Sequence, residues 1–242
     1  MSEKSRKKFT KRQISMKSLF ADSVRELLSV RTFVMLAAMT VGAVVLGSHF
    51  RMVINEDLRV SFTFICIMAV AVLYGPVPCM LMNTITDITI YLLDKNEIRD
   101  YSLAVLSVKL IVSCFYGMLL YKKYYGSFGY LKRLEDFFPE CVAENVDIAV
   151  RSVFARTGAV LVGNIVLNSA VLYRLYHNGK FPFISGGDWK IFYRWFKPRL
   201  DTNMKMLPFE LLIVFMFMPI INVVYMLVCC GFRRLCGGKT KS

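Results

Sequence analysis

The chain has 242 residues, 56% of them hydrophobic and 20% charged, with a net charge of +14 and a mean hydropathy of +0.49. A soluble domain is about half apolar and a quarter charged; here the apolar excess is gathered into long runs, which excludes an ordinary soluble globule and points to a polytopic membrane protein. The Lys and Arg residues lie at the ends of apolar runs rather than in a stripe interleaved with aromatics, which argues against a nucleic-acid partner.

Residues 1–31 read as a basic cytoplasmic segment opening with "MSEKSRKKFTKRQ". The first apolar run starts about thirty residues in, later than a cleavable signal places its apolar core, so none is expected. A bilayer crossing takes about 20 mostly apolar residues in a helix. Six segments qualify: 32–50, 59–75, 77–94, 101–121, 154–176 and 207–230. The predicted fold is therefore an all-α membrane protein of six transmembrane helices, its membrane domain running from 32 to 230.

The first segment carries Ala38 and Gly42 four apart, with Ala37 and Ala43 beside them. Small residues at that spacing let another helix approach closely, either within the bundle or from a partner. Between the second and third segments "YGPVP" can only be a tight hairpin, because Gly75, Pro76 and Pro78 break helix and supply turn geometry.

The third segment is unexpectedly polar, with Asn83 and Asp87 four apart and hence on one face. The fourth carries Ser107, Lys109 and Ser113, and the fifth Asn164 and Asn168. The sixth opens with "MLPFELL", which puts Glu210 just inside the membrane edge. A charge at mid-bilayer costs at least about 3 kcal/mol, so such residues face the bundle and are paired or hydrated. Asp87 and Lys109, on adjacent helices, are the candidate buried pair, and Asn83, Asp87 and Asn164 are read as structural polar groups. Inward polar residues on four helices also fit a single polar cavity.

Three stretches lie between or beyond the crossings. Residues 122–153, "KKYYGSFGYLKRLEDFFPECVAENVDIAVRS" from 122, are mixed in charge and amphipathic, and predict a short cytoplasmic helix or two at the membrane surface. Residues 177–206 predict a basic, aromatic external loop, with Arg174, Lys180, Lys190, Arg194, Lys197, Arg199 and Lys205 around "FPFISGGDW" and "YRWFKPRL". Such a loop would either cap a site for an aromatic anionic ligand or lie among lipid headgroups. Residues 231–242 form a basic tail. With the N-terminus inside, nineteen Lys and Arg fall on the inside and eleven outside, which places both termini in the cytoplasm.

Signatures of enzyme chemistry are missing: there is no HExxH, no GxSxG and no GxxxxGK[ST]. Neither His49 nor His177 has ligand-spaced neighbours. The seven cysteines make no CxxC pair, so they read as buried apolar groups. No metal, no cofactor and no catalytic residue is expected.

Taken in order, these pieces resemble a known family. "VRELLSVRTFVMLAAMTVGAVVLGSHF", "LRVSFTFICIMAVAVLYGPV", the Asp-bearing third helix, "YSLAVLSVKLIVSCFYGMLLYKK", "GNIVLNSAVLYRLYHNGKF" and "KPRLDTNMKMLPFELL" look like the substrate-binding S component of an energy-coupling factor (ECF) vitamin transporter. The folate-type members are the most similar, over most of residues 20–230, with 126–150 as an insertion. The resemblance implies a six-helix S-component-like bundle in a bacterial plasma membrane that captures a folate-like vitamin at its external face. It implies partners too: a transmembrane coupling subunit and two ABC-type ATPases, which would supply the energy. Ala38 and Gly42 match the family's AxxxA docking position, with Gly for one Ala. Arg59, Ser61 and Phe62 match its "RISF", Asn168 and Ser169 its "LNT", and Pro208 and Glu210 its "LPIE", while Lys109 stands where members often carry Arg. Substrate contact is accordingly assigned to Arg59, Ser61, Phe62, Lys109, Asn168, Arg199 and Glu210. Two departures fall near the implied pocket: "NEIRDYS" replaces a glycine-rich "YFPGFT", and Val171 stands where an aromatic is usual. Alternatives left open are an S component for another vitamin or small metabolite, and a membrane enzyme or interaction protein unrelated to transport.

Overall fold

The computed structural model describes residues 16–48, 51–55, 58–93, 102–121, 140–176 and 189–236. In chain order the elements are α1 (Met16–Leu27), α2 (Val30–Ser48), β1 (Arg51–Asn55), β2 (Leu58–Ser61), α3 (Thr63–Tyr74), α4 (Pro76–Leu93) and α5 (Leu103–Leu120). There follow α6 (Glu140–Gly158), a π-helical segment (Ala159–Leu167) and α7 (Asn168–Tyr176), which run on without a break, and then α8 (Trp189–Cys236). The architecture is the expected all-α membrane bundle, with one small antiparallel hairpin that pairs Arg51 with Ser61 and Val53 with Arg59.

The centre is α3. Its sequence "TFICIMAVAVLY" has no polar face, and a helix that is apolar all round belongs in an interior; Phe64 and every residue from Ile67 to Tyr74 are buried. Around it pack Leu36 and Ala43 of α2, Cys79 and Met82 of α4, Tyr116 and Leu120 of α5, Ile148 and Ala155 of α6, and Val214 and Met218 of α8.

The chain reverses from α3 into α4 with a single residue between them. Gly75 holds φ 85°, which L side chains rarely adopt, and Pro76 opens α4, where the missing N–H forfeits nothing. The amphipathic α1 lies against this turn through Leu19 and Ser23. The Ser23 hydroxyl donates to the Tyr74 carbonyl at 2.9 Å and accepts from the Val77 N–H at 3.0 Å, satisfying backbone groups that the reversal leaves without helical partners. Gly117 of α5 faces the same turn, and a Cβ there would run into the Pro76 backbone.

Three expectations are corrected. The predicted second crossing, 59–75, is not helix throughout: Arg59 and Ser61 lie on β2, Phe62 precedes the first helical turn, and the helix starts at Thr63. Its 12 residues span about 18 Å against a hydrocarbon core of about 30 Å, and the paired hairpin satisfies the backbone that precedes it. Five helical runs among the described residues are long and apolar enough to cross a membrane, and α3 is the shorter apolar sixth. The predicted external loop is helix from Trp189 onward, because its aromatics fall at helical spacing: Phe196 and Leu200 pack with Leu207 and Leu211 on Val160 and Ile165, and Phe192 packs on Tyr173. The predicted start of the fifth crossing at 154 is likewise no boundary, since helix runs on from Glu140 with a buried Asp147–Arg151 ion pair one turn apart. Residues 122–139 and 177–188 lie outside the described residues, as do most of the predicted N-terminal segment and the end of the tail.

The close approach at the α3–α4 turn gives a direct check. Gly117→Ala forces α5 away from Pro76, and overpacking of this kind costs about 1–3 kcal/mol. A lowered thermal midpoint of the purified protein in detergent is expected, and an unchanged midpoint would show that α5 does not seat against the turn.

Candidate functional site

The inward polar residues form two nodes, one on each side of α5. On the first side α4 and α5 run antiparallel. The Asn83 amide donates to the Ser113 hydroxyl at 2.6 Å and to the Lys109 carbonyl at 3.2 Å, and Lys109 Nζ donates to the Asp87 carboxylate. Residues 83 and 113 and residues 87 and 109 are thus matched one turn apart, so two polar contacts fix a single register. The pairing expected from sequence is present, and it is lopsided: the Lys109 side chain is 43% exposed and that of Asp87 15%.

The second node is deeper. Arg156 of α6 grips Glu210 of α8 with two bonds, Nε to Oε2 at 3.1 Å and Nη2 to Oε1 at 2.8 Å. Its remaining Nη1 donates to the Tyr116 hydroxyl of α5 at 2.9 Å, and the guanidinium lies 4.0 Å from the centre of the Phe64 ring of α3. One side chain therefore joins four helices. A planar fork suits this role because it binds a carboxylate bidentately while offering a face to an aromatic ring. Lower on the same pair of helices the Asn222 amide donates to Asn145 Oδ1 at 2.8 Å. Between these pins Val214 and Met218 of α8 are almost wholly buried.

Glu210, expected to meet a ligand, is thus occupied by Arg156, and an anionic ligand would reach this arginine only by displacing the carboxylate. Sequence reasoning missed Arg156, Tyr116 and Phe64. The available signal was Arg156 itself, which lies inside the predicted fifth crossing and is counted in the orientation tally as a cytoplasmic charge.

The other expected site residues lie toward the opposite end of the bundle from the α3–α4 turn. Arg59 and Ser61 are on β2 and Phe62 is half-buried at the start of α3. Asn164 is half-buried in the π-helical segment and Asn168 opens α7, with its N–H bonded to the Gly163 carbonyl in the wide ring of a π turn. Such segments recur at functional sites, where the wider turn re-aims the side chains beyond it. Just past this one, Asn168 Oδ1 and Ser169 Oγ are both shielded from solvent and without a hydrogen-bond partner among the described residues. A buried acceptor left open marks a place for a water or a ligand. Arg199 is half-buried on α8, and its carbonyl accepts from the Asn203 amide at 2.7 Å. Ala38 is exposed on the outer face of α2, whereas a Cβ on Gly42 would stand 3.8 Å from Cys66 Sγ of α3. The two docking residues therefore differ: Ala38 looks outward and Gly42 looks partly into the bundle. No cluster of three or more metal-ligating side chains occurs among the described residues.

The arrangement defines a class: a multi-pass, all-α membrane bundle. In particular, the structure superposes on the crystal structure of FolT bound with folic acid, with a TM-score of 0.54 and 17% sequence identity, over 78% of this chain and 92% of that one. No protein-family profile and no curated protein matches the chain.

The Arg156 node has a measurable consequence. Removing one member of a buried pair costs about 3–5 kcal/mol, whereas replacing both with apolar groups is often close to neutral. Arg156→Leu and Glu210→Leu are each expected to lower the thermal midpoint sharply, and the double variant to recover most of the loss. Additive losses would mean that the two residues do not act as a unit.

Proposed function

We propose that this chain is the substrate-capture subunit, or S component, of an ATP-driven ECF importer, and that its substrate is a folate-like vitamin. In this reading the chain is non-catalytic and sits in a bacterial plasma membrane with both termini in the cytoplasm. It hands its substrate on through a transmembrane coupling subunit served by two ABC-type ATPases. The observation that carries the reading is the match of the fold to a folate-bound protein over nearly that protein's whole length. The open acceptors at Asn168 and Ser169, beyond the π-helical segment, support it.

Within this reading the ligand is held by Asn168, with Arg59, Ser61, Phe62 and Arg199 around it. Lys109 and Glu210 act through their partners Asp87 and Arg156, keeping α4, α5, α6 and α8 in register around the site. The departures "NEIRDYS" and Val171 bear on which ring system is accepted.

Two experiments test this. Purified protein titrated with folate and a panel of other vitamins is expected to show ligand-induced thermal stabilisation by folate, lost or weakened at least tenfold in Asn168→Ala. Removal of one hydrogen bond to a bound polar ligand costs about 1.5 kcal/mol, close to that factor. Stabilisation by a different vitamin would reassign the substrate, and silence across the panel would sink the reading. Ala38→Trp, at an exposed position, is expected to leave ligand binding unchanged and to abolish association with a coupling subunit. Unimpaired association would place the docking face elsewhere; Gly42 is the poorer probe because bulk there also strains the contact with α3.

A further inference from the structure

The 48 residues of α8 extend about 72 Å, more than twice the hydrocarbon thickness of about 30 Å. Its exposed face changes character along that length. From Pro208 downward it is apolar, with Phe209, Leu212, Phe215, Met216 and Ile220 all exposed. From Trp189 to Lys205 the same side exposes Lys190, Arg194, Lys197 and Lys205 at helical spacing, broken by one acid, Asp201. Two aromatics edge this cationic lane, Trp189 at 58% exposure and Tyr193 at 56%. Lys197 Nζ lies 6.0 Å from the centre of the Tyr193 ring.

Beside the lane α7 exposes one further cation, Arg174, whereas α4 at the same end of the bundle exposes Ile85, Ile88, Leu92 and Leu93. The stretch is also rigidly held, since Phe192 packs edge-on against Tyr173 of α7 at 6.0 Å and against Trp189 at 5.7 Å. Exposed cations beside amphipathic rings, on a helix whose same face then turns apolar, match the chemistry of a leaflet in depth order: phosphate first, hydrocarbon below.

We infer that the Trp189–Lys205 stretch of α8 is a binding face for the anionic phosphate headgroups of lipids in the leaflet at that end of the bundle. The cations, with Trp189 and Tyr193 beside them, face the headgroup layer, and the apolar lane below Pro208 meets the acyl chains. Its role is to hold α8 at a fixed depth and rotation in the leaflet, and it does not depend on the identity of the transported substrate.

The chain's own fluorescence reads this stretch, because its two tryptophans, Trp189 and Trp195, both fall within it. Full-length protein is reconstituted in phosphatidylcholine vesicles into which phosphatidylglycerol or phosphatidylcholine, each carrying a nitroxide quencher on its headgroup, is titrated. Labelled phosphatidylglycerol is expected to quench the tryptophans at least fivefold more effectively, since each engaged cation contributes about that factor. The preference is expected to shrink as salt is raised. In K190Q/R194Q/K197Q/K205Q it is expected to fall to near unity, while K17Q/R25Q on α1 retains it. Equal quenching by the two lipids in the unaltered protein overturns the inference without reference to any variant. An undiminished preference in the quadruple variant overturns it as well, as does a preference equally lost in K17Q/R25Q.

Discussion

Arg156 is the residue on which the bundle is organised. A guanidinium among apolar helices is tolerated only when its charge and its donors are all answered, and here the answers come from three other helices at once: Glu210 of α8, Tyr116 of α5 and the ring of Phe64 on α3. A buried pair of this kind adds little net stability over a well-packed apolar substitute, because desolvation offsets most of the attraction. Its value lies in direction. The bidentate grip admits one rotation of α6 against α8, which then sets Val214 and Met218 into the core and brings Asn222 to Asn145 further down. The same logic recurs across α4 and α5, where Asn83 and Asp87 meet Ser113 and Lys109 in matched steps.

Between lipid tails there is little hydrophobic drive to prefer one helix register over another, so polar pins and close backbone approach carry that selection. The small residues do the second job where the pins do not reach. Gly117 lets α5 seat on the α3–α4 turn, and Gly163 admits Val112 where the π-helical segment crosses α5. Polar and steric devices thus divide the molecule between them, with α5 touched by both.

Much of this was legible in the sequence, for identifiable reasons. The apolar run at 59–75 announced a crossing, though not its central place, and "YGPVP" announced the reversal after it. The Asp87–Lys109 pair followed from two unlike charges on neighbouring helices that each had to face inward. Arg156 was obscured because it comes directly after a mixed-charge stretch, and a charge at the edge of a hydropathy window is assigned to water by default. The outer part of α8 was obscured differently: its inward stripe of Phe192, Phe196, Leu200 and Leu207 is helical, but it is interleaved with cations and with Pro198, whose exposed position makes the helix interruption tolerable. The short hairpin before α3 could not be seen, since "RVSF" reads equally as strand or as helix start.

The placement of these devices also explains how a fold can be shared at 17% identity. The residues that fix backbone geometry, Ser23, Gly75, Gly117 and Arg156 with its partners, gather at the α3–α4 turn and in the middle of the bundle. The hairpin, the start of α7 and the outer part of α8 lie toward the other end and carry few of those constraints. Substitutions there change which polar atoms are left open, as at Asn168 and Ser169, without disturbing the register below. Helix packing is thus decided at the α3–α4 turn and in the middle of the bundle, and the other end is left freer to change.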